Sequence, residues 1–81
     1  MVFKEKEINT NNIFDIIKYN LDVTHKEKGR IYNVVMVLKS KDRTTGEWYR
    51  SVLYKHINGE HFVRSLDDFC KQFEVKEERD K

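Results

Sequence analysis

Apolar positions along the chain switch between two periods. Around residues 11–19 and 66–73 they recur every three or four residues, whereas from residue 31 to residue 64 they alternate in strand-like fashion. In the first segment Ile13, Phe14, Ile16 and Ile17 give a broad apolar face. Thr10, Asn11 and Asn12 supply N-cap residues, and Asp15 stands three after Asn12, so a helix is predicted over 11–19. Residues 21–25 read as a short strand, and Lys26-Glu27-Lys28-Gly29 as a polar turn.

Residues 31–39 are rich in β-branched and aromatic side chains, with Tyr32, Val34, Met36 and Leu38 on one side and Ile31, Val35 and Val37 on the other. A strand that is apolar on both sides belongs at the centre of a sheet. A polar loop ending in Thr44-Thr45-Gly46 leads into a second strand over 48–56, and the Asn58-Gly59 dipeptide signals a tight hairpin to a third over 60–64. Ser65-Leu66-Asp67-Asp68 then has the form of a capping box. It opens a helix to about Phe73, whose residues Leu66, Phe69, Cys70 and Phe73 face the sheet. The expected fold is α+β: a small antiparallel β-meander or SH3-like, partly open barrel with an N-terminal helix and a short C-terminal helix. Residues 1–75 form one domain in this reading. Residues 2–8 alternate weakly, as an exposed strand or frayed arm would, and residues 76–81 have no apolar side chain to bury and are expected to be disordered.

If Asn58 and Gly59 are the two loop residues, His56 faces His61, Tyr54 faces Val63 and Leu53 faces Arg64. One surface then carries Trp48, Arg50, Val52, Tyr54, His56, His61 and Val63, the other Tyr49, Ser51, Leu53, Lys55, Ile57, Phe62 and Arg64. Polarity alone leaves open which is buried. The reading adopted buries Tyr49, Leu53, Ile57 and Phe62 and leaves Trp48, Arg50, Tyr54, His56 and His61 outside, a stacking platform with cations beside it. Sheet surfaces hold single-stranded nucleic acid or nucleotides in this way. Lys55 and Arg64 complete the predicted ligand-binding set.

Composition sharpens this picture. The chain has 81 residues with 16 Lys and Arg against 14 Asp and Glu, a formal charge of +2. The charge is unevenly spread: residues 23–66 hold nine basic and four acidic residues, net +5, and the rest seven and ten, net −3. A basic island thus coincides with the strands. So short a chain buries only about 60% of the surface its unfolded form exposes, and a single cysteine provides no internal disulfide. Self-association as a homodimer is therefore an expectation. No apolar run approaches a membrane span and the start lacks signal-peptide grammar, which places the expected location in the cytoplasm and argues against a membrane partner.

Candidate chemistry is sparse. Two histidines do not make a closed zinc site, Cys70 lies on a helix face predicted to be buried, and Asp67 and Asp68 suit a helix start better than a paired-carboxylate site. Gly29, Gly46 and Gly59 stand singly in turns, so no glycine-rich phosphate loop exists. No cofactor, metal or enzymatic activity is expected.

Thr45-Gly46-Glu47, Leu53-Tyr54, Phe62-Val63-Arg64-Ser65-Leu66 and Phe69 with Phe73-Glu74 together resemble a family of short bacterial and phage proteins, the domain of unknown function numbered sixteen fifty-three. The similarity spans roughly residues 25–75. Ser65 stands where that family usually has proline, and the His25–Gly29 stretch is spaced differently. The resemblance implies a compact β-rich domain and singles out Tyr54 and Arg64 for testing. It carries no catalytic residue across. Two functional expectations follow: a non-enzymatic binding module, bacterial or phage-encoded, that holds a nucleic acid or nucleotide-like ligand; or a protein-interaction module, such as a phage accessory factor or inhibitor acting on a host protein.

Overall fold

Six- and seven-residue helices are too short to stand alone, so each depends on its caps and on the sheet it covers. The computed structural model describes residues 7–76, and the expected arm and charged tail lie outside that range except for residues 7, 8 and 76. Helix α1 (Ile13–Lys18) is entered through side-chain turns: the Asn9 oxygen accepts from the N–H groups of Asn11 and Asn12. Asn12, the expected cap, instead points backwards, accepting from the Asn9 N–H at 2.8 Å and donating to the Glu7 carbonyl at 2.7 Å. The helix ends in a Schellman motif, with Asn20 at φ 53°, its N–H on Ile17 and the Leu21 N–H on the Ile16 carbonyl.

Strand β1 (Asp22–His25) leads to β2 (Ile31–Lys41), β3 (Trp48–His56) and β4 (His61–Ser65), the predicted meander. Helix α2 (Leu66–Gln72) begins at Ser65, whose hydroxyl accepts from the Asp68 N–H, the cap the sequence predicts. The chain then turns straight into β5 (Phe73–Val75), a strand the sequence reading did not include, which pairs with β1. All pairings are antiparallel and the order is β4-β3-β2-β1-β5. The fold is thus α+β with an open five-stranded sheet; the partly open form is realised and a closed barrel is not. No helix among the described residues is long and apolar enough to cross a membrane.

Two register details decide which side chains meet. First, β2 bulges between Val34 and Met36, so Val34 and Val37 both pair with residues of one β3 face, Tyr54 and Val52. The unbroken alternation read for residues 31–39 fails at Val35, and Met36 and Leu38 move to the outer side. Second, the hairpin loop has three residues. His56 donates to the Glu60 carbonyl at 2.8 Å, the Gly59 N–H reaches the His56 carbonyl at 2.9 Å, and Gly59 alone in the turn has positive φ, at 94°. This is a type I turn followed by a glycine bulge, whereas the sequence reading takes Asn58 and Gly59 as a two-residue loop. Consequently Lys55 pairs with His61, Tyr54 with Phe62, Leu53 with Val63 and Val52 with Arg64.

That one-residue slip moves Phe62 and Arg64 onto the face of Val52 and Tyr54, and this face of β3, not the expected one, is the buried one. Tyr32, Val34, Val52 and Tyr54 join Ile13, Ile16, Leu66, Phe69 and Phe73 in one buried cluster, while Tyr49 and Ile57 are exposed and Leu53 is half-buried. At its centre Phe69 and Phe73 stack at 4.3 Å, with Tyr54 5.1 Å from each. Among the described residues both helices pack on the inner face, and the outer face carries an apolar row, Met36, Leu53 and Val63, paired directly across three strands.

Candidate nucleic-acid interface

The predicted platform divides into three groups. Tyr54, expected outside, is only 4% exposed; burying it satisfies both the register and the aromatic packing under α2. Arg64 packs its guanidinium 5.5 Å from the Phe73 ring, donates from Nε to the Tyr54 hydroxyl at 3.3 Å and pairs with Asp68 one helical turn on. Those two hydrogen bonds favour the charged form of Arg64 and raise its pKa further. Arg64 is a clasp between β4 and α2, its Nε and Nη1 engaged by Tyr54 and Asp68.

The histidines and Lys55 form the second group. His56 is half-buried, edge-on to Tyr32 at 5.3 Å, and its Nδ1 accepts from the Asn58 N–H. His61 lies on the outer face opposite Lys55. The expected cross-strand histidine pair is absent because the three-residue loop shifts them onto different faces. Among the described residues no three His, Cys, Asp or Glu side chains gather as metal ligands do. Cys70 is half-buried, and its thiol is pushed up first by burial and then by Asp67, which disfavours the reactive thiolate.

Trp48 and Arg50 form the third group, and they stay exposed. They follow Tyr54 and Val52 along the same face of β3, but beyond the reach of the helices. Alternation along β2 after the bulge takes Val37 to Lys39 and Lys41, and the ladder sets Lys39 directly opposite Arg50 and Lys41 directly opposite Trp48. All four side chains are exposed, Trp48 by 63%, and the Lys41 ammonium lies 5.8 Å from the Trp48 ring. Two like charges facing each other across a ladder are unfavourable, and no ion pair among the described residues relieves them.

The ribbon ends in an ordered loop. Asp42 accepts from the N–H groups of Thr44 and Thr45 at 2.7 and 3.2 Å, its own N–H donates to the Glu47 carbonyl, and the Gly46 N–H returns to the Asp42 carbonyl. Gly46 has φ 74°, which suits glycine. This holds the two strands in register out to Lys41 and Trp48. The elongated outline, 49 by 27 by 22 Å, fits a ribbon that extends past the packed core.

Of the seven predicted site residues, Trp48 and Arg50 come together. Lys39 and Lys41, which the sequence reading passed over, join them. The signal for these two was the i, i+2 spacing at the end of a strand. It pointed to the other face until the bulge at Val35 was known. No family model matches the chain, and no curated protein or solved structure does either.

Proposed function

We propose that the protein is a non-enzymatic binding module that holds nucleic acid on the bare face of the β2–β3 ribbon, with Lys39, Lys41 and Arg50 meeting phosphates and Trp48 meeting a base. The observation that carries this reading is the directly opposed Lys39–Arg50 pair beside an exposed indole. Like charges in register cost stability, and a bound polyanion repays the cost by neutralising both. A non-catalytic role is favoured because the Cys70 thiol is held away from its reactive form and His56 and His61 are on opposite faces.

Lys39→Ala together with Arg50→Ala tests the proposal. Both side chains are exposed, so the circular dichroism spectrum and thermal midpoint should stay close to those of the parent, while oligonucleotide retention in a gel shift falls roughly tenfold or more. Undiminished retention by the double variant would sink the proposal.

A second reading has its own support. The Met36–Leu53–Val63 row is an apolar strip on an uncovered sheet face, as a protein-interaction module would present to a host protein. Association through that strip should change little with salt, unlike binding through the ribbon.

A further inference from the structure

We infer that the nucleic acid held by the ribbon is an unpaired strand lying along its flank and not a duplex entered by its tip; this rests on the nucleic-acid reading above. A two-stranded ribbon is narrow enough to enter the major groove of a duplex, and one that does so leads with its end loop between two rows of phosphates. Here that loop, residues 42–47, carries Asp42, Arg43 and Glu47, a net charge of −1. Asp42 and Glu47 stand at its base, next to the strand ends, where a groove would bring phosphates closest. Like charge therefore opposes tip-first entry.

The flank has the opposite character. All three ribbon cations on the inward-continuing face, Lys39, Lys41 and Arg50, sit on one side of the ribbon, and the reverse side at the same positions carries Ser40, Tyr49 and Ser51, with no charge. A groove-filling element needs contacts on both flanks; a strand lying across one flank needs them on one. Lys39 and Lys41 are two residues apart on one strand, about 7 Å along it, which is on the scale of neighbouring phosphates in an extended strand. Trp48 adds what a duplex cannot use from outside: an open ring on which a base can stack once it is free of its partner. Its exposure of 63% leaves ring surface available despite the Lys41 ammonium 5.8 Å from its centre. Stacking from this position brings the backbone of that strand over the opposed Lys39–Arg50 pair.

The chain contains a single tryptophan, so its fluorescence reports this site alone. A short oligothymidylate, a blunt duplex of the same length and heparin are titrated into the intact protein, with binding followed both by Trp48 emission and by the anisotropy of labelled probes. The expected result is quenching by the oligothymidylate, affinity for it roughly tenfold or more above that for the duplex, and a salt slope of about −2 in log K against log salt for three cations on a single strand. Trp48→Ala should weaken the oligothymidylate roughly tenfold and leave heparin unchanged, whereas Trp48→Phe retains most of the affinity. A duplex that binds as tightly as the single strand overturns the inference while leaving the nucleic-acid reading intact; oligothymidylate binding without quenching, or an oligothymidylate affinity indifferent to Trp48→Ala, overturns the inference and also removes Trp48 from the proposed contact, leaving only the cations to hold nucleic acid. If neither the oligothymidylate nor the duplex binds, both fall, whatever heparin does.

Discussion

Strands β2 and β3 present one continuous face that meets two fates. Near α2 it carries Tyr32, Val34, Val52 and Tyr54, sealed beneath Phe69 and Phe73; a few residues on, the same face of the same two strands carries Lys39, Lys41, Trp48 and Arg50 in the open. Past the bulge at Val35 the two strands pair regularly, and the face runs on from Val37 and Val52 into the open half. What differs is whether a helix lies above. The contrast teaches that in so small a domain the sheet outruns its cover, and that the uncovered end is free to keep side chains chosen for something other than stability. Aromatic rings serve both ends: between covering layers a ring stacks on its neighbours, and past them it waits beside cations.

The largest effect expected at the packed end comes from Phe69→Ala. This side chain has no exposure and stacks on Phe73, so its removal should cost about 3–5 kcal/mol, a large share of the total for a domain of this size, seen as a drop in urea midpoint. An effect below about 1 kcal/mol would mean that the aromatic cluster is not what holds α2 down.

An intermediate effect is expected at the boundary. Arg64→Ala removes the hydrogen bond to buried Tyr54 and the pair with Asp68, in which the Arg64 and Asp68 side chains are one-third and under one-half exposed, so about 1–2 kcal/mol of stability should go. Oligonucleotide affinity should change less than about twofold, because Arg64 belongs to the packed half; a large binding defect in a folded Arg64→Ala protein would return it to the ligand surface.

The smallest effect has the opposite sign. Lys39→Glu replaces a like-charge pair with an opposite one across from Arg50, and should stabilise the protein by about 0.2–1 kcal/mol in chemical denaturation while weakening oligonucleotide binding. Stability gained with affinity lost is the signature of a site kept at a structural cost. If both rise, or neither moves, the two halves do not differ in the way described.

Much of the fold was readable in the chain because its signals are local. Ser65 and Asp68 form the helix start wherever that segment sits, and Gly46 and Gly59 mark turns that need positive φ. The β5 strand was not readable: Phe73 continues the helical spacing of α2, the alternation of Phe73, Glu74 and Val75 is too short to announce a strand, and it is pairing with the edge of β1 that makes it one. The candidate site was half readable. Trp48 and Arg50 stand out as an aromatic and a cation two residues apart, but Tyr54 and Arg64 looked equally suitable until packing claimed them.

Local chemistry, then, determined the elements, their caps, the strand sequence of the meander and the basic character of its middle. Tertiary structure alone decided the register. An extra residue at Val35 and a third residue in the His56–Glu60 loop each reverse the side to which the following side chains point, because strand residues alternate with a period of two. Both choices are settled by how the inward rings pack beneath α2, a long-range energy that no short stretch of sequence contains.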